Sequence, residues 1–355
     1  MSEKVFTAFY PSTPIWVGDS PQPDLFATGV SIYEAYATEV FTKKTTRFCV
    51  KVCRDGQILL RIPDLEARRS LLFRAQSTQN EHQPPAENLF DKSAAIRGEY
   101  LALLNIFFLL LDSNRSGADP RPDLGYYEIT PRDAFQVLFT PNEKPGAFSE
   151  SASIHSAERT RLLYGGPSSF IKIPRAKLPI SLFEQVTDKF RTVLETEGLV
   201  KTLALYAKAV SELKSGGYRT SVVLAWFVIE EVLIYLWQQH LESLDVEYAS
   251  GRRRMNEKRR KILNDRQFTA SVVSNTLEIT GVITNELFNT IDRVRGYRNK
   301  IVHNDLEFGV DLKVATAALE CAGQMIERRW AFKISPNLSV GVSTFHEPFN
   351  DTNNL

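Results

Sequence analysis

The chain has 355 residues, more than one hydrophobic core usually supports, so two domains are the first expectation. It is 43% apolar and 24% charged, with 43 Lys and Arg against 42 Asp and Glu. That composition fits an ordinary soluble globular protein and excludes a histone-like polycation, while leaving room for local basic patches. Three cysteines are too few for a disulfide framework, and the opening MSEKVFTAFYPSTP has no basic region followed by an apolar one. A reducing, cytoplasmic setting without a secretory signal is therefore expected.

In chain order, β-prone pieces come first, at Val5 to Tyr10 and Val30 to Ala37. A hairpin is expected from Thr45 to Arg54 and Gln57 to Ile62, with Asp55-Gly56 as a two-residue I′ turn. Cys49 and Cys53 fall on one face of its first strand; with no second Cys pair and no histidine cluster nearby, zinc is not expected. Helices follow at Leu65 to Arg74 and Lys92 to Leu111. Between Thr140 and Ile180 five prolines and a Gly165-Gly166 pair read as an interdomain connection, with room for a strand at Phe170 to Ile173. The apolar runs Leu101 to Leu111 and Val222 to Trp237 fall short of the roughly 20 residues a bilayer crossing needs, so no membrane is expected.

After Pro179 the pattern is helical. Ser181 and Glu184 have capping-box spacing, and a helix from Leu182 has a weak point at Gly198 before Gly216-Gly217 ends it. Tyr218 to Leu241 is the most apolar helix. Thr284 can cap a helix carrying Leu287, Ile291 and Val294, and Asp311 can cap a last one with the stripe Leu312, Ala315, Leu319, Ala322, Ile326 and Trp330. The expected class is α+β: a mixed domain of unknown fold over 1–140, a linker over 141–180, an all-α bundle over 181–335 and a loose polar tail over 336–355.

The segment that carries chemistry is Arg295-Gly-Tyr-Arg-Asn-Lys-Ile-Val-His303. Arg298 offers a permanent planar charge suited to a phosphate or a pentacoordinate transition state. His303 titrates near neutrality and can move a proton during attack on that phosphate. Asn299, directly after the arginine, can position it or the substrate. A bland reading stays open beside this one: Arg298 continues the stripe Leu287, Ile291, Val294 and can pair with a carboxylate, and His303 can sit on the last carbonyls of its helix.

Two further features bear on the same site. Glu230 and Glu231 interrupt an apolar helix, and Arg298 is a reasonable partner for one of them, because an unpaired buried carboxylate is costly. Arg252, Arg253, Arg254, Arg259 and Arg260 concentrate positive charge as an RNA backbone contact requires, or else form a solvated loop. No P-loop ending in Gly-Lys-Ser/Thr, no G-x-G-x-x-G after a strand and no G-x-S-x-G is present, so nucleotide triphosphatase and serine hydrolase chemistry have no support and no cofactor is expected.

Residues 181–335 resemble the HEPN domains, helical modules of prokaryotic toxins, abortive-infection proteins and CRISPR-associated ribonucleases. The resemblance lies in the long first helix, the small-residue turn Ser215-Gly216-Gly217, the apolar second helix with Glu230-Glu231, and Arg298-Asn299-x-x-x-His303. It implies a homodimer in which two such motifs form one metal-independent ribonuclease site, with Arg298, Asn299 and His303 catalytic and Glu230 supporting. HEPN toxins silenced by a nucleotidyltransferase antitoxin often continue the motif as His-x-Tyr; Asp305 stands there in this chain, so that control is not implied. The resemblance is silent on residues 1–140, whose expected role is to sense a trigger. The alternative is an inactive module that binds nucleic acid or a partner.

Overall fold

The computed structural model describes residues 4–19, 38–77, 88–114, 124–139, 145–148, 175–265, 268–303 and 308–340. Strands Lys4–Phe9 (β1), Glu39–Lys44 (β3), Cys49–Cys53 (β4), Ile58–Arg61 (β5), Phe135–Phe139 (β6) and Pro145–Phe148 (β7) form one antiparallel sheet in the order β3-β4-β5-β1-β6-β7. Strand alternation gives it two faces. Phe9, Val50, Val52, Ile58 and Leu60 enter the main core, while Phe6, Ala8, Cys49, Cys53, Leu59, Phe135 and Val137 form a smaller cluster behind. The two strand cysteines are thus buried packing residues, not disulfide-bonded, and the Cys53 thiol lies 3.7 Å from Gln57 Oε1.

The β4–β5 hairpin lies where the sequence places it, but its turn differs. Asp55 keeps a negative φ while Gly56 takes +87°, and the amide of Gly56 donates to Cys53 O at 3.0 Å. With Cys53 N donating to Gln57 O at 2.9 Å, the loop is three residues, Arg54 to Gly56, with Gly56 as a bulge rather than half of a I′ turn. A Cβ on Gly56 would come within 2.4 Å of Ile15 Cγ1, so packing as well as φ requires glycine there. Ile15 belongs to strand Ile15–Val17 (β2), which pairs in parallel with Ala176–Leu178 (β8). The segment expected to be a linker with room for one strand contributes two others, β7 and β8; the strand expected at 170–173, like that at 30–37, lies outside the described residues.

Helices Pro63–Ser77 (α1) and Asn88–Ser113 (α2) follow the sheet hairpin. The second half of α2 is buried on all sides, from Leu103 to Asp112. Its one polar break, Asn105, bonds Leu101 O and Ile129 O through Nδ2 and takes the Ile129 amide at 2.6 Å, so it fastens a passing segment inside the core.

The helical half contains Ile180–Glu195 (α3), Leu199–Lys214 (α4), Tyr218–Ser243 (α5), Glu257–Leu263 (α6), Ala270–Ile279 (α7), Asn285–His303 (α8) and Leu312–Trp330 (α9). Two expectations need correction. Pro179 is the N-cap of α3 and Ser181 lies inside the helix, so no capping box forms; the proline directly follows β8, and the helix starts two residues earlier than expected. Gly198, at φ +77°, does not merely weaken a long helix but separates α3 from α4. The caps of α8 and α9 form as expected, with Thr284 Oγ1 accepting from Leu287 N at 3.3 Å and Asp311 Oδ1 from Val314 N at 2.9 Å.

The protein is an antiparallel sheet followed by a helical region, and one core runs through both. Phe190 of α3 meets Phe48 and Phe107 edge-on, at centroid distances of 5.3 and 5.4 Å. Tyr126 donates to Ala207 O of α4 at 3.3 Å. The composition changes between 140 and 180, yet the buried cluster does not divide there. Helices α2 and α5, at 26 residues each, are long and apolar enough to cross a membrane by length and composition, longer than their uninterrupted apolar runs suggest. Most of each is buried inside the fold. The start of the tail is also held: Phe332 and Ile334 are buried, Asn337 N donates to Asp112 Oδ2 at 2.8 Å and Lys214 Nζ to Ser339 O at 2.5 Å.

Candidate nucleic-acid site

Helix α8 packs on α5, α7 and α9, with Ile291 and Val294 buried. It continues without a break to His303, so Arg298 and His303 stand on one helix, five residues apart and about 140° around its axis. Arg298 is half-buried; its Nη1 donates to Asn299 Oδ1 at 3.1 Å, and its Nε is buried without a partner. Asn299 thus orients the arginine directly. His303 is exposed in the last turn, where the helix dipole favours a cation. Within one chain, the structure brings Arg298 and Asn299 together and leaves His303 on another face.

The carboxylate pairing differs from expectation. Glu231, not Glu230, is held: Arg329 Nη1 stands 3.5 Å from its Oε1, and Thr202 Oγ1 donates to Oε2 at 3.2 Å. Arg329 in turn lies over the rings of Tyr235 and Trp330, at 4.3 and 4.1 Å. Arg298 forms no ion pair with either glutamate. The reason is angular: consecutive helix residues point about 100° apart, so Glu231 turns toward α4 and α9 while Glu230 faces α7.

Glu230 instead lines an open cleft of about 560 Å³ between α5 and the α6–α7 connection, with Leu233, Ile234, Trp237, Phe268 and Asn264 among its walls. Trp237 is stacked with Phe268 at 5.8 Å and donates to Leu263 O at 3.1 Å. Sequence reasoning missed this cleft. Its walls come from three elements whose apolar residues each look like ordinary core positions.

The basic segment also divides. Asp245, just after α5, accepts the Met255 amide at 3.0 Å and lies 3.2 Å from Arg260 Nη2 and 3.7 Å from Arg253 Nη1. The Met255 amide, with Arg253 and Arg260 behind it, holds the Asp245 carboxyl below the ordinary range. Arg253 and Arg260 are therefore engaged in fixing the lobe. Arg254 Nε meets Tyr248 Oη at 3.3 Å, and Arg259 Nη1 donates to Arg254 O at 3.1 Å. Arg252, Lys258 and Lys261 point into solvent with no side-chain partner among the described residues. The run is thus neither a loose loop nor a uniform cationic surface: Asn256 caps α6 through Arg259 N at 3.0 Å, and one buried acid organises the rest. A lone aspartate before a basic run was the available signal.

No family model, curated protein or solved structure matches this chain. The HEPN resemblance therefore rests on the sequence motif alone. Among the described residues no group of three or more His, Cys, Asp and Glu is arranged to hold a metal ion.

Proposed function

We propose that the chain is a HEPN-type endoribonuclease that works as a homodimer without a metal cofactor, acting in the cytoplasm as a toxin or antiphage effector. The observation that carries this reading is the placement of Arg298-Asn299-x-x-x-His303 on the last two turns of α8, with Asn299 orienting the arginine and the histidine exposed. His303 of one protomer takes the proton of an RNA 2′-hydroxyl, whose oxygen attacks the adjacent phosphorus. The paired His303 gives a proton to the departing 5′-oxygen, and Arg298 offsets the charge of the phosphorane. The 140° divergence within one chain favours a dyad arrangement, in which two protomers supply opposite sides of one cleft. Solvent-facing Arg252, Lys258 and Lys261 supply backbone affinity. The sheet half senses the trigger, and its core shared with α3 and α4 offers a path to the bundle.

A second reading, an inactive module that binds nucleic acid or a partner, is favoured by the same divergence if no dimer forms. Incubation with pooled tRNA and mRNA in excess EDTA separates the two. The enzyme should leave 2′,3′-cyclic phosphate ends, and Arg298→Ala and His303→Ala should each lower cleavage at least about 100-fold with melting unchanged. Cleavage by His303→Ala at the parent rate would make the binding module correct.

A further inference from the structure

Residues 245–261 hold seven Lys and Arg against three Asp and Glu, and the backbone sorts the first of them by face. Between α5 and α6 the chain makes a small hairpin. Arg254 N donates to Val246 O at 2.9 Å, Tyr248 N to Arg252 O at 2.8 Å and Gly251 N to Tyr248 O at 2.8 Å, with Glu247 and Arg253 bridged between them. Gly251, at φ +69°, closes the three-residue loop Ala249 to Gly251. Cross-strand partners share a face and neighbours alternate. Asp245, Glu247, Arg253 and Met255 therefore lie on one side, and Val246, Tyr248, Arg252 and Arg254 on the other. The first side anchors the hairpin, through buried Met255 and the Asp245 carboxylate that holds Arg253 and Arg260.

The second side is open. Tyr248 is 48% and Val246 49% exposed, both arginines are exposed, and none of the four is an acid. Arg254 Nε donates to Tyr248 Oη at 3.3 Å and steadies the ring, while Arg252 has no side-chain partner among the described residues. An aromatic face flanked by two permanent planar cations fits a ligand that alternates flat bases with anions. Arg252 and Arg254, two residues apart on one strand, stand about 6.8 Å apart along it, a step close to that between successive phosphates of an extended single strand. An anionic membrane would instead need a continuous apolar stripe to bury, and these four residues offer it one ring and one valine. We propose that this hairpin face binds single-stranded RNA, with one base stacked on Tyr248 and adjacent phosphates on Arg252 and Arg254. The proposal rests on the reading of the chain as RNA-acting and narrows its substrate class to unpaired RNA.

The test uses the full chain carrying His303→Ala, so that RNA stays intact, and a fluorescein-labelled adenylate decamer followed by anisotropy over a range of salt. Tyr248→Ala should weaken binding about tenfold, as loss of one stacked base does, with the salt slope unchanged. Tyr248→Phe keeps the ring and should stay within about twofold of the parent. Arg252→Ala and Arg254→Ala should each weaken binding and lower the slope of log K against log salt by about 0.7, the share of one phosphate. All three side chains are exposed, so melting should not move. Parent-like affinity in Tyr248→Ala, a Tyr248→Phe as weak as Tyr248→Ala, or arginine variants with the parent's slope would each overturn the proposal. So would a decamer that does not bind at all. Tyr248-dependent sedimentation with vesicles of phosphatidylserine and phosphatidylcholine, with RNA affinity unmoved, would overturn it in favour of a membrane contact. If the parent cleaves no RNA yet keeps Tyr248-dependent binding, the ribonuclease reading falls and the hairpin site stands. Cleavage by a chain whose affinity ignores Tyr248 gives the converse.

Discussion

Helices α2 and α5 look alike as sequence and differ in what the fold does with them. Each has 26 residues, a high apolar content and little amphipathic bias. The sheet, α3 and α4 enclose the second half of α2, and no large apolar side chain of its described residues is left exposed. α5 is packed by α4, α7, α8 and α9, yet keeps Phe227 at 43% and Ile234 at 51% exposure, with Glu230 between them. Apolar surplus on a helix therefore has two fates, structural when a sheet closes over it and available for binding when it does not. On α5 the exposed Ile234 lines the cleft beside Glu230, and Phe227 stays open to solvent.

The sharpest way to break this contrast is truncation on each helix. Phe107→Ala on α2 removes a ring that is 1% exposed and packed edge-on to Phe190, and should cost about 3–5 kcal/mol in urea unfolding. Phe227→Ala on α5 should cost no more than about 0.5 kcal/mol of intrinsic stability, while Phe227→Glu should shift the proposed homodimer to monomer in light scattering. Equal costs at the two positions, or a Phe227→Glu variant that sediments as the parent does, would mean that α5 has no surface of its own to offer.

The two adjacent glutamates sharpen it further. Glu231→Ala breaks the contacts to Arg329 and Thr202 and should cost about 1 kcal/mol in thermal melting, a modest figure because the pair is partly exposed to solvent. Glu230→Gln should leave the melting temperature unchanged. A reversal of that order would place the structural carboxylate on the wrong side of α5.

The smallest effect concerns the ends of the two helices, each marked by an aspartate. Asp112 closes α2 by accepting Asn337 N, and Asp245 follows α5 and accepts Met255 N. Because the folded Asp245 carboxyl is held below its ordinary value of 3.8, its contribution is fully present above about pH 4. It is lost as pH falls through the lowered folded value. The protection factor of the Met255 amide, its exchange relative to an unstructured amide at the same pH, should therefore fall on acidification below about pH 4 in the parent, and already be low at neutral pH in Asp245→Asn. A parent and variant that respond alike would show that the arginines order the lobe without their acid.

Local chemistry alone determined a good deal of this protein. Asp55-Gly56 marked the hairpin, Gly216-Gly217 ended α4, Thr284 and Asp311 started α8 and α9, and the 3–4 spacing of Ala315, Leu319, Ala322 and Ile326 foretold a buried stripe. These depend on φ preferences and on caps a few residues away, which short windows contain. The Arg298-Asn299-His303 set could be singled out as a candidate for the same reason: it lies within six consecutive residues. Tertiary packing decided the rest. It chose Glu231 over Glu230 for Arg329, made a three-residue turn at Gly56 because Ile15 lies against it, turned part of a proline-rich stretch into β7 and β8, and assembled the Glu230 cleft from α5, α6 and α7. Each of these depends on which side chain of a distant element arrives opposite, and a charge or an apolar residue reads the same in sequence whichever neighbour it will meet.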